Sequence, residues 1–241
     1  MRIAADLHTH TIISGHAYST VDENIRAAQE MGLDGIALTD HGPNMPTLLP
    51  AWYFENMKTL PNTVYGLQVF RGIEANIIDD DGTLDASEDM TKNLNFIIAS
   101  CHTVTIAGDG PEYFTRACIN AMQNPRVNVI GHPDDGRMPV LYPELVRAAA
   151  ETHTLLEVNN HSLSAFKPRP NARQNVIAML AECRRLGVSV VVSSDAHVCY
   201  QVGHFENSLA LLAEVGFPEE LVANTSLDKL KAALSRKGWK E

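Results

Sequence analysis

The stretch Asp6-Leu7-His8-Thr9-His10, followed by His16, decides how the chain is interpreted. An apolar tripeptide precedes it, and residues 3–8 are predicted to form a buried strand. Because His8 and His10 are two positions apart, both imidazoles lie on the same face of an extended chain. A purification tag or a stray surface pair is the alternative, but a tag is a homopolymer and does not close an apolar strand. The stretch therefore predicts one part of a metal site, if the remaining chain supplies matching ligands.

Length and composition indicate an ordinary globular protein. The 241 residues suffice for one large α/β barrel or two small domains, and 45% are hydrophobic while 20% are charged. No apolar run approaches the length of a membrane span, and the N-terminus lacks the basic-then-apolar pattern of a signal peptide. The four cysteines show neither Cys-x-x-Cys spacing nor the density of a disulfide framework. We therefore predict a cytoplasmic protein without a membrane partner.

The charge balance restricts the partners. With 19 basic and 29 acidic residues, the formal net charge is −10. A nucleic-acid-binding surface needs a basic stripe to neutralise phosphates, so no nucleic acid partner is expected. An acidic protein still binds an anion locally where metal ions supply positive charge. The sequence leaves the formation of homo-oligomers open.

Apolar segments rich in Val, Ile and Leu alternate with helical patterns seven times. Strands of this composition are buried on both faces, which predicts a parallel sheet covered by helices. No Gly-x-Gly-x-x-Gly follows the first strand, so an open doubly wound sheet is not supported. We predict a single-domain α/β fold, a distorted (β/α)7 barrel similar to a TIM barrel, with no eighth strand. The predicted strands cover residues 3–8, 35–39, 67–73, 96–100, 127–130, 155–158 and 188–192.

Potential metal ligands follow almost every predicted strand. In a parallel barrel the carboxyl ends of the strands meet at one mouth, where active-site residues gather. Seven of the ten histidines and two acids fall at this rim, which scattered histidines would not do. The nine predicted ligands are His8, His10, His16, His41, Glu74, His102, His132, Asp195 and His197.

The ligand types indicate the metal and the substrate. Imidazoles with a few carboxylates suit Zn²⁺, with Fe²⁺ and Mn²⁺ as alternatives, and do not suit Mg²⁺ or Ca²⁺. At three ligands for each ion, nine ligands predict three ions, with Glu74 as a bridge. Three divalent ions would make the pocket strongly cationic, which predicts a small phosphorylated metabolite as substrate. Metal-bound water is the predicted nucleophile, and Asp195, Glu74 and His197 are the closest supporting groups.

Six motifs together resemble the PHP superfamily (polymerase and histidinol phosphatase), and YcdX-type phosphatases in particular. The resemblance covers nearly the whole chain, residues 1–241, and is weakest over residues 161–173, which leaves the choice of substrate open. It rests on Asp6-Leu7-His8-Thr9-His10, Thr39-Asp40-His41-Gly42-Pro43, Arg71-Gly72-Ile73-Glu74-Ala75-Asn76, Gly131-His132-Pro133, Glu157-Val158-Asn159-Asn160 and Ser194-Asp195-Ala196-His197.

The resemblance implies a distorted (β/α)7 barrel, a trinuclear zinc site and the activity of a metal-dependent phosphatase. It also implies how the ligands divide among the three ions. The implied sets are His8, His10, Glu74 and Asp195; His16, His41 and His197; and Glu74, His102 and His132.

Other activities stay open at this point. Some PHP domains act as phosphodiesterases or nucleases. Amidohydrolases, which cleave C–N or C–O bonds, also begin with His-x-His on a barrel strand. They usually place a bridging lysine at the end of strand four, whereas this chain has Ser100-Cys101-His102 there. A non-catalytic metal-binding regulator is the third alternative. Loss of ligands would support it, but none of the nine is missing.

Further polar side chains at the rim are predicted to support the site. Asp40 either orients an imidazole or caps a strand end, and the sequence does not separate these roles. Asn159 and Asn160 are predicted to satisfy loop backbone rather than to bind substrate. Basic side chains after the sixth strand either clamp phosphate or stay solvated, and we favour solvation. These are Lys167, Arg169 and Arg173.

Overall fold

A parallel sheet of seven strands curls into a nearly closed barrel in the computed structural model, which describes residues 1–46, 49–166 and 168–240. These seven strands pair in one series, and one further described strand pairs with a single member of the series. The predicted α/β barrel is thereby confirmed. Among the described residues the strands are β1 (Ala5–Asp6), β2 (Gly35–Leu38), β3 (Thr63–Val64), β4 (Leu67–Asn76), β5 (Phe96–Ser100), β6 (Val129–Ile130), β7 (Leu155–Asn159) and β8 (Val190–Ser193). The series runs β1-β2-β4-β5-β6-β7-β8, and β3 pairs with β4.

Helices follow the strands and cover the outside of the barrel. Thr20 and Glu23 form the capping box of the helix that begins at Val21, as the sequence indicates. Ser226 caps the helix that begins at Leu227 through the backbone N–H of Lys229. None of the described helices is long and apolar enough to span a membrane. The α-helices are α1 (Val21–Glu30), α2 (Ala51–Asn56), α3 (Glu88–Thr91), α4 (Gly110–Met122), α5 (Tyr142–Thr152), α6 (Ala172–Leu186), α7 (Glu206–Glu214) and α8 (Leu227–Ser235).

The structure corrects two strand predictions. The first strand is Ala5–Asp6, shorter than the predicted residues 3–8, because the chain leaves the sheet to deliver its histidines. The barrel has seven strands, as predicted, but the prediction missed the additional strand β3, which lies outside the barrel series and runs antiparallel to the start of β4. Tyr65 and Gly66 connect them with φ of 51° and 85°, the two positive values of a type I′ hairpin turn. A two-residue strand is too short to show alternation in sequence.

Asn224 closes the barrel between β1 and β8. Its side-chain NH₂ donates to the carbonyls of Ala5, at 2.9 Å, and Val192, at 2.7 Å. Its Oδ1 accepts the N–H of Val192 at 3.1 Å. Nearer the mouth, the N–H of His10 donates to the carbonyl of Ala196 at 2.8 Å. One buried amide therefore replaces backbone hydrogen bonds between the first strand and the last.

The C-terminal segment fills the barrel end opposite the nine predicted ligands. Leu230 and Leu234 of α8 belong to the apolar cluster inside the barrel, and Trp239 packs on Phe70 with ring centroids 6.0 Å apart. The buried amine of Lys237 donates to the carbonyls at the ends of α4 and α5, Met122 at 2.7 Å and Thr152 at 3.2 Å. A cation at a helix C-terminus is favourable. This end is closed, and the carboxyl ends of the strands form the open mouth.

Candidate metal centre

Glu74 lies at the centre of the mouth, and its two carboxylate oxygens face different imidazoles. Oε1 lies 2.8 Å from His132 Nε2 and 3.3 Å from His102 Nε2. Oε2 lies 2.6 Å from His41 Nδ1 and 3.3 Å from His8 Nε2. A carboxylate with ligand atoms on both sides has the arrangement of a bridge between two ions.

Asp195 completes a second group of ligand atoms. Its Oδ1 lies 3.3 Å from His10 Nε2 and 3.6 Å from His8 Nε2. His10 Nε2 is also 3.6 Å from Glu74 Oε2. The side chains of the four residues His8, His10, Glu74 and Asp195 are almost completely buried. They therefore converge on one point from three different strand ends.

His16 and His197 form the outer part of the cluster. Their Nε2 atoms lie 3.0 Å apart, although the residues are 181 positions apart in sequence. The ring of His16 stacks on that of His41 with centroids 5.0 Å apart. All nine predicted ligands thus lie in one cluster. In three triplets, one ligand atom of each member lies within 4.8 Å of the others: His10, His41 and His197; His8, His10 and Glu74; and His41, Glu74 and His102.

Four buried atoms of the cluster have no hydrogen-bond partner: His8 Nε2, His10 Nε2, His41 Nδ1 and Glu74 Oε2. Even the 2.6 Å approach of His41 Nδ1 to Glu74 Oε2 does not form a hydrogen bond. Leaving a buried polar atom unpaired costs about 1–3 kcal/mol. Nitrogen and carboxylate oxygen are the donors that zinc and similar ions prefer. The residues present therefore fit a multinuclear metal site.

The imidazole nitrogens that point away from the centre of the cluster also fit metal binding. A metal-binding imidazole usually donates its other N–H to an acceptor, which fixes the tautomer and the ring. Five imidazoles of the cluster place Nδ1 against such an acceptor, so that Nε2 faces inward. The contacts are His8 to Glu157 Oε1 (2.8 Å), His10 to Ser14 Oγ (3.1 Å), His16 to the Ser14 carbonyl (3.0 Å), His102 to Asn76 Oδ1 (2.7 Å) and His197 to the Asp195 carbonyl (3.0 Å).

Comparison with known proteins agrees with this geometry. The sequence model of the PHP domain family matches residues 6–163, which includes seven of the nine clustered ligands. The chain belongs to the PHP domain family.

Relatives of this PHP domain match it over almost their whole length. It is 42% identical over 238 residues to a probable phosphatase of Thermoanaerobacter sp. (strain X514), covering 98% of this chain and 96% of the relative. It is 41% identical over 237 residues to a probable phosphatase of Acetivibrio thermocellus, covering 98% and 97%. The family predicted from the motifs is thereby confirmed.

Solved structures show the same fold at lower identity. Histidinol phosphate phosphatase of Lactococcus lactis subsp. lactis Il1403, complexed with zinc, L-histidinol and phosphate, has a TM-score of 0.63 at 19% identity, covering 90% of this chain and 95% of that chain. A chain of an archaeal ribonuclease P with mature tRNA has a TM-score of 0.59 at 16% identity, covering 96% and 90%. At these identities the likeness supports the fold alone.

Glu157 of the PHP domain orients candidate ligands of two strands, a role the sequence interpretation missed. Besides holding His8, its carboxylate accepts the backbone N–H of His132 at 2.6 Å and the hydroxyl of Ser193. Glu157 is completely buried at 0% exposure within the apolar strand β7. A carboxylate is costly there unless it is paired, and this was the signal available in the sequence.

Asp40 acts on the site through Ser14. Its carboxylate accepts hydrogen bonds from the Ser14 hydroxyl at 2.7 Å, the Thr11 N–H at 2.7 Å and the Tyr53 hydroxyl at 2.7 Å. Ser14 Oγ in turn is the acceptor for His10. Of the two roles considered for Asp40, the orienting role is therefore present, because Asp40 holds an imidazole through one hydroxyl. Its other contacts fix the loop after β1 and do not cap a strand end.

Arg169 contacts the cluster, so the expectation that it is solvated was wrong. Its side chain is 14% exposed, and it donates to Asp195 Oδ2 at 3.0 Å and to Ser162 Oγ at 2.8 Å. Arg173 instead pairs with Glu214 at the surface. Lys167 lies outside the described residues.

The two asparagines after β7 differ in role. Asn159 Oδ1 accepts the backbone N–H of Ser162 at 3.0 Å, as predicted, and its NH₂ also donates to Asp195 Oδ2 at 3.1 Å, which places it against a candidate ligand. Asn160 Oδ1 accepts the backbone N–H groups of Asn207 and Ser208, which confirms its predicted role in satisfying backbone. His161 is partly buried, with its ring 6.2 Å from that of His197.

Burial and the dense packing of charges shift the pKa values of the cluster. Burial lowers the pKa of His102 and of His197 to about 4, so both are neutral near pH 7. Burial disfavours the charged form of Glu74, but nearby imidazoles, above all His8, hold its pKa well below the usual range. Burial opposes a charge on His8 as well, yet Glu157 and Glu74 raise its pKa well above the ordinary value. The ionised carboxylates therefore favour positive charge at the centre of the cluster.

Two candidate ligands have a strained backbone. Asp195 has φ of 56° and His132 has φ of 28°, in the left-handed region that non-glycine residues rarely adopt. Such strain costs about 1–3 kcal/mol at each residue and occurs preferentially at functional sites. The surrounding hydrogen bonds of Glu157 and Arg169 hold both residues in place.

Proposed function

We propose that this PHP domain is a metal-dependent phosphatase that hydrolyses the phosphate monoester of a small metabolite. The observation that carries the proposal is the convergence of seven imidazoles and two carboxylates around four unpartnered buried atoms. Two 41–42% identical relatives are named probable phosphatases, which supports the reaction class. The structural likeness to histidinol phosphate phosphatase supports a scaffold that accommodates this chemistry.

We propose three zinc ions as the cofactor, with Mn²⁺ or Fe²⁺ as functional replacements. The proposed ligands are His8, His10, Glu74 and Asp195 for one ion, His16, His41 and His197 for the second, and Glu74, His102 and His132 for the third. The close approach of His16 Nε2 to His197 Nε2 supports the second set. A ligand atom of His10 also lies within 4.8 Å of those of His41 and His197, two members of the second set.

When bound, such ions supply positive charge for phosphoryl oxygens and activate a water for attack near neutral pH. The chain positions the ester around them. Asp195 and His197 face the mouth, and Arg169 places its guanidinium beside Asp195, from where we propose that it binds a phosphoryl oxygen. His161, next to His197, is proposed to contact the leaving group.

The test compares purified protein before and after chelation and zinc reloading. We expect about three zinc equivalents for each chain and hydrolysis of p-nitrophenyl phosphate that is lost with chelator and restored with zinc. His132→Ala is expected to lose a zinc equivalent and activity, whereas His204→Ala, an exposed histidine paired with Glu206, retains both.

Further substrates separate the alternatives. Preference for bis-p-nitrophenyl phosphate or single-stranded DNA identifies a diesterase or nuclease, and preference for amides or lactones identifies an amidohydrolase. Zinc-loaded protein that leaves all phosphate esters intact contradicts the proposal.

A further inference from the structure

Asp85 lies in the loop between β4 and α3 and connects two ligand-bearing segments. Its Oδ1 accepts the backbone N–H of Asn76 at 2.8 Å, and its Oδ2 accepts the backbone N–H of Asn44 at 2.8 Å. Oδ2 also lies 2.6 Å from the side-chain nitrogen of Asn76. Asn76 is the last residue of β4 and is completely buried, whereas Asn44 belongs to the loop after β2.

These contacts fix the direction of the Asn76 amide. Both oxygens of Asp85 accept backbone N–H groups, and an ionised carboxylate has no proton to donate. The group of Asn76 that faces Asp85 must therefore be its NH₂, which turns the amide oxygen towards His102. That oxygen lies 2.7 Å from His102 Nδ1.

The direction of the amide in turn fixes the imidazole. An amide oxygen only accepts hydrogen bonds, so Nδ1 of His102 carries the proton. The other nitrogen, Nε2, then presents its lone pair 3.3 Å from Glu74 Oε1. The carboxylate of Asp85 thereby determines, through one amide, which nitrogen of His102 is available to a metal.

Asp85 also supports the segment of a second candidate ligand. Gly42 directly follows His41, and a Cβ at this position would lie only 2.2 Å from Asp85 Oδ1. The absence of a side chain at Gly42 allows the carboxylate to pack against the backbone there. Gly42 also donates its backbone N–H to the carbonyl of Glu74 at 2.7 Å.

We propose that Asp85 is a positioning residue of the metal centre, which sets the Asn76 amide and the His102 tautomer and holds the loop that carries His41. The proposal rests on the proposed function only in taking His102 as a ligand. The tautomer itself is a property of the metal-free chain, and it is measurable whether or not the protein proves to be a phosphatase.

The decisive measurement is a long-range ¹H–¹⁵N spectrum of histidine-labelled, metal-free protein, with the His102 signals assigned from His102→Gln. We expect wild type to hold the proton on Nδ1. In Asp85→Asn the new amide no longer dictates the direction of Asn76, so His102 is expected to populate the Nε2–H form. Asp81→Asn, an exposed aspartate of the same loop, is the matched control and is expected to keep the wild-type spectrum.

Zinc binding gives a second readout. Loss of an outer contact typically lowers metal affinity by about 10–100-fold. We expect a decrease of this size for one of the zinc equivalents in Asp85→Asn, measured by competition with a chelator, and none in Asp81→Asn. A proton on Nε2 of His102 in wild type overturns the proposal even if Asp85→Asn does not fold. An unchanged tautomer and zinc affinity in Asp85→Asn overturn it as well. Wild-type protein that binds zinc but hydrolyses no ester contradicts the proposed function instead.

Discussion

Replacing Asn224 by alanine tests whether one side chain closes the barrel. The residue is completely buried and bonds to both edge strands at the junction of β1 and β8. Asn224→Ala leaves the N–H of Val192 without its acceptor and removes a donor from two carbonyls, those of Ala5 and Val192.

The expected loss of stability follows from these three groups. An unpaired buried N–H costs about 1–3 kcal/mol, and each carbonyl loses a bond worth about 1 kcal/mol. Asn224→Ala is therefore expected to lower the free energy of unfolding by about 3–5 kcal/mol, a large part of the 5–15 kcal/mol of typical proteins. Asn224→Asp is expected to lower the free energy of unfolding by at least as much. Its carboxylate can still accept the N–H of Val192, but it repels the carbonyls of Ala5 and Val192.

Urea unfolding of metal-free protein, followed by circular dichroism, measures the difference. The control is Asn93→Ala, which removes one hydrogen bond from a half-exposed asparagine to the Glu55 carbonyl and should cost no more than about 1 kcal/mol. If Asn224→Ala loses less than about 1 kcal/mol with an unchanged m-value, the side chain is not what closes the sheet.

Three further predictions concern the site and the thiols. Glu157→Gln should lower zinc affinity by about 10–100-fold, because the carboxylate no longer orients its imidazole, and competition with a chelator measures this; an affinity within twofold of wild type would count against that role. Arg169→Ala should reduce kcat/KM for monoesters at least tenfold (a loss of about 1.4 kcal/mol), whereas Arg173→Ala should not change it; equal effects on steady-state kinetics would remove the phosphate-binding role. Burial raises the pKa of Cys183 to about 12, so iodoacetamide at pH 8 should modify the partly exposed Cys199 first, as mass spectrometry of the peptides will show; early labelling of Cys183 would contradict the buried position.

The sequence was sufficient to predict the barrel and to name the residues that cluster. Buried parallel strands have a clear apolar signature, and the carboxyl ends of such strands meet at one mouth whatever the details of the loops. His8 and Asp195 could therefore be placed in the same site although 187 positions separate them. The burial of apolar strands could also have identified Glu157, because a carboxylate in such a strand is costly unless it is paired.

Contacts made by loops could not be predicted in this way. The role of Asp85 depends on the path of three loops, and no periodic pattern reports such a path. Arg169 was expected to be solvated because a basic residue in a polar loop usually is, whereas the observed loop folds back onto Asp195. Local patterns therefore predict which side chains converge, and tertiary contacts decide how each one is oriented.

The distribution of the ligands along the chain has a consequence for biosynthesis. The candidate ligand His197 emerges from the ribosome 189 residues after the candidate ligand His8. Asn224, which seals the sheet, follows later still. A nascent chain thus exposes several histidines before the pocket that gathers them has formed. The nine candidate ligands are gathered only after the segment up to Asn224 has emerged and folded, and a product that ends before His197 would be an incomplete chelator.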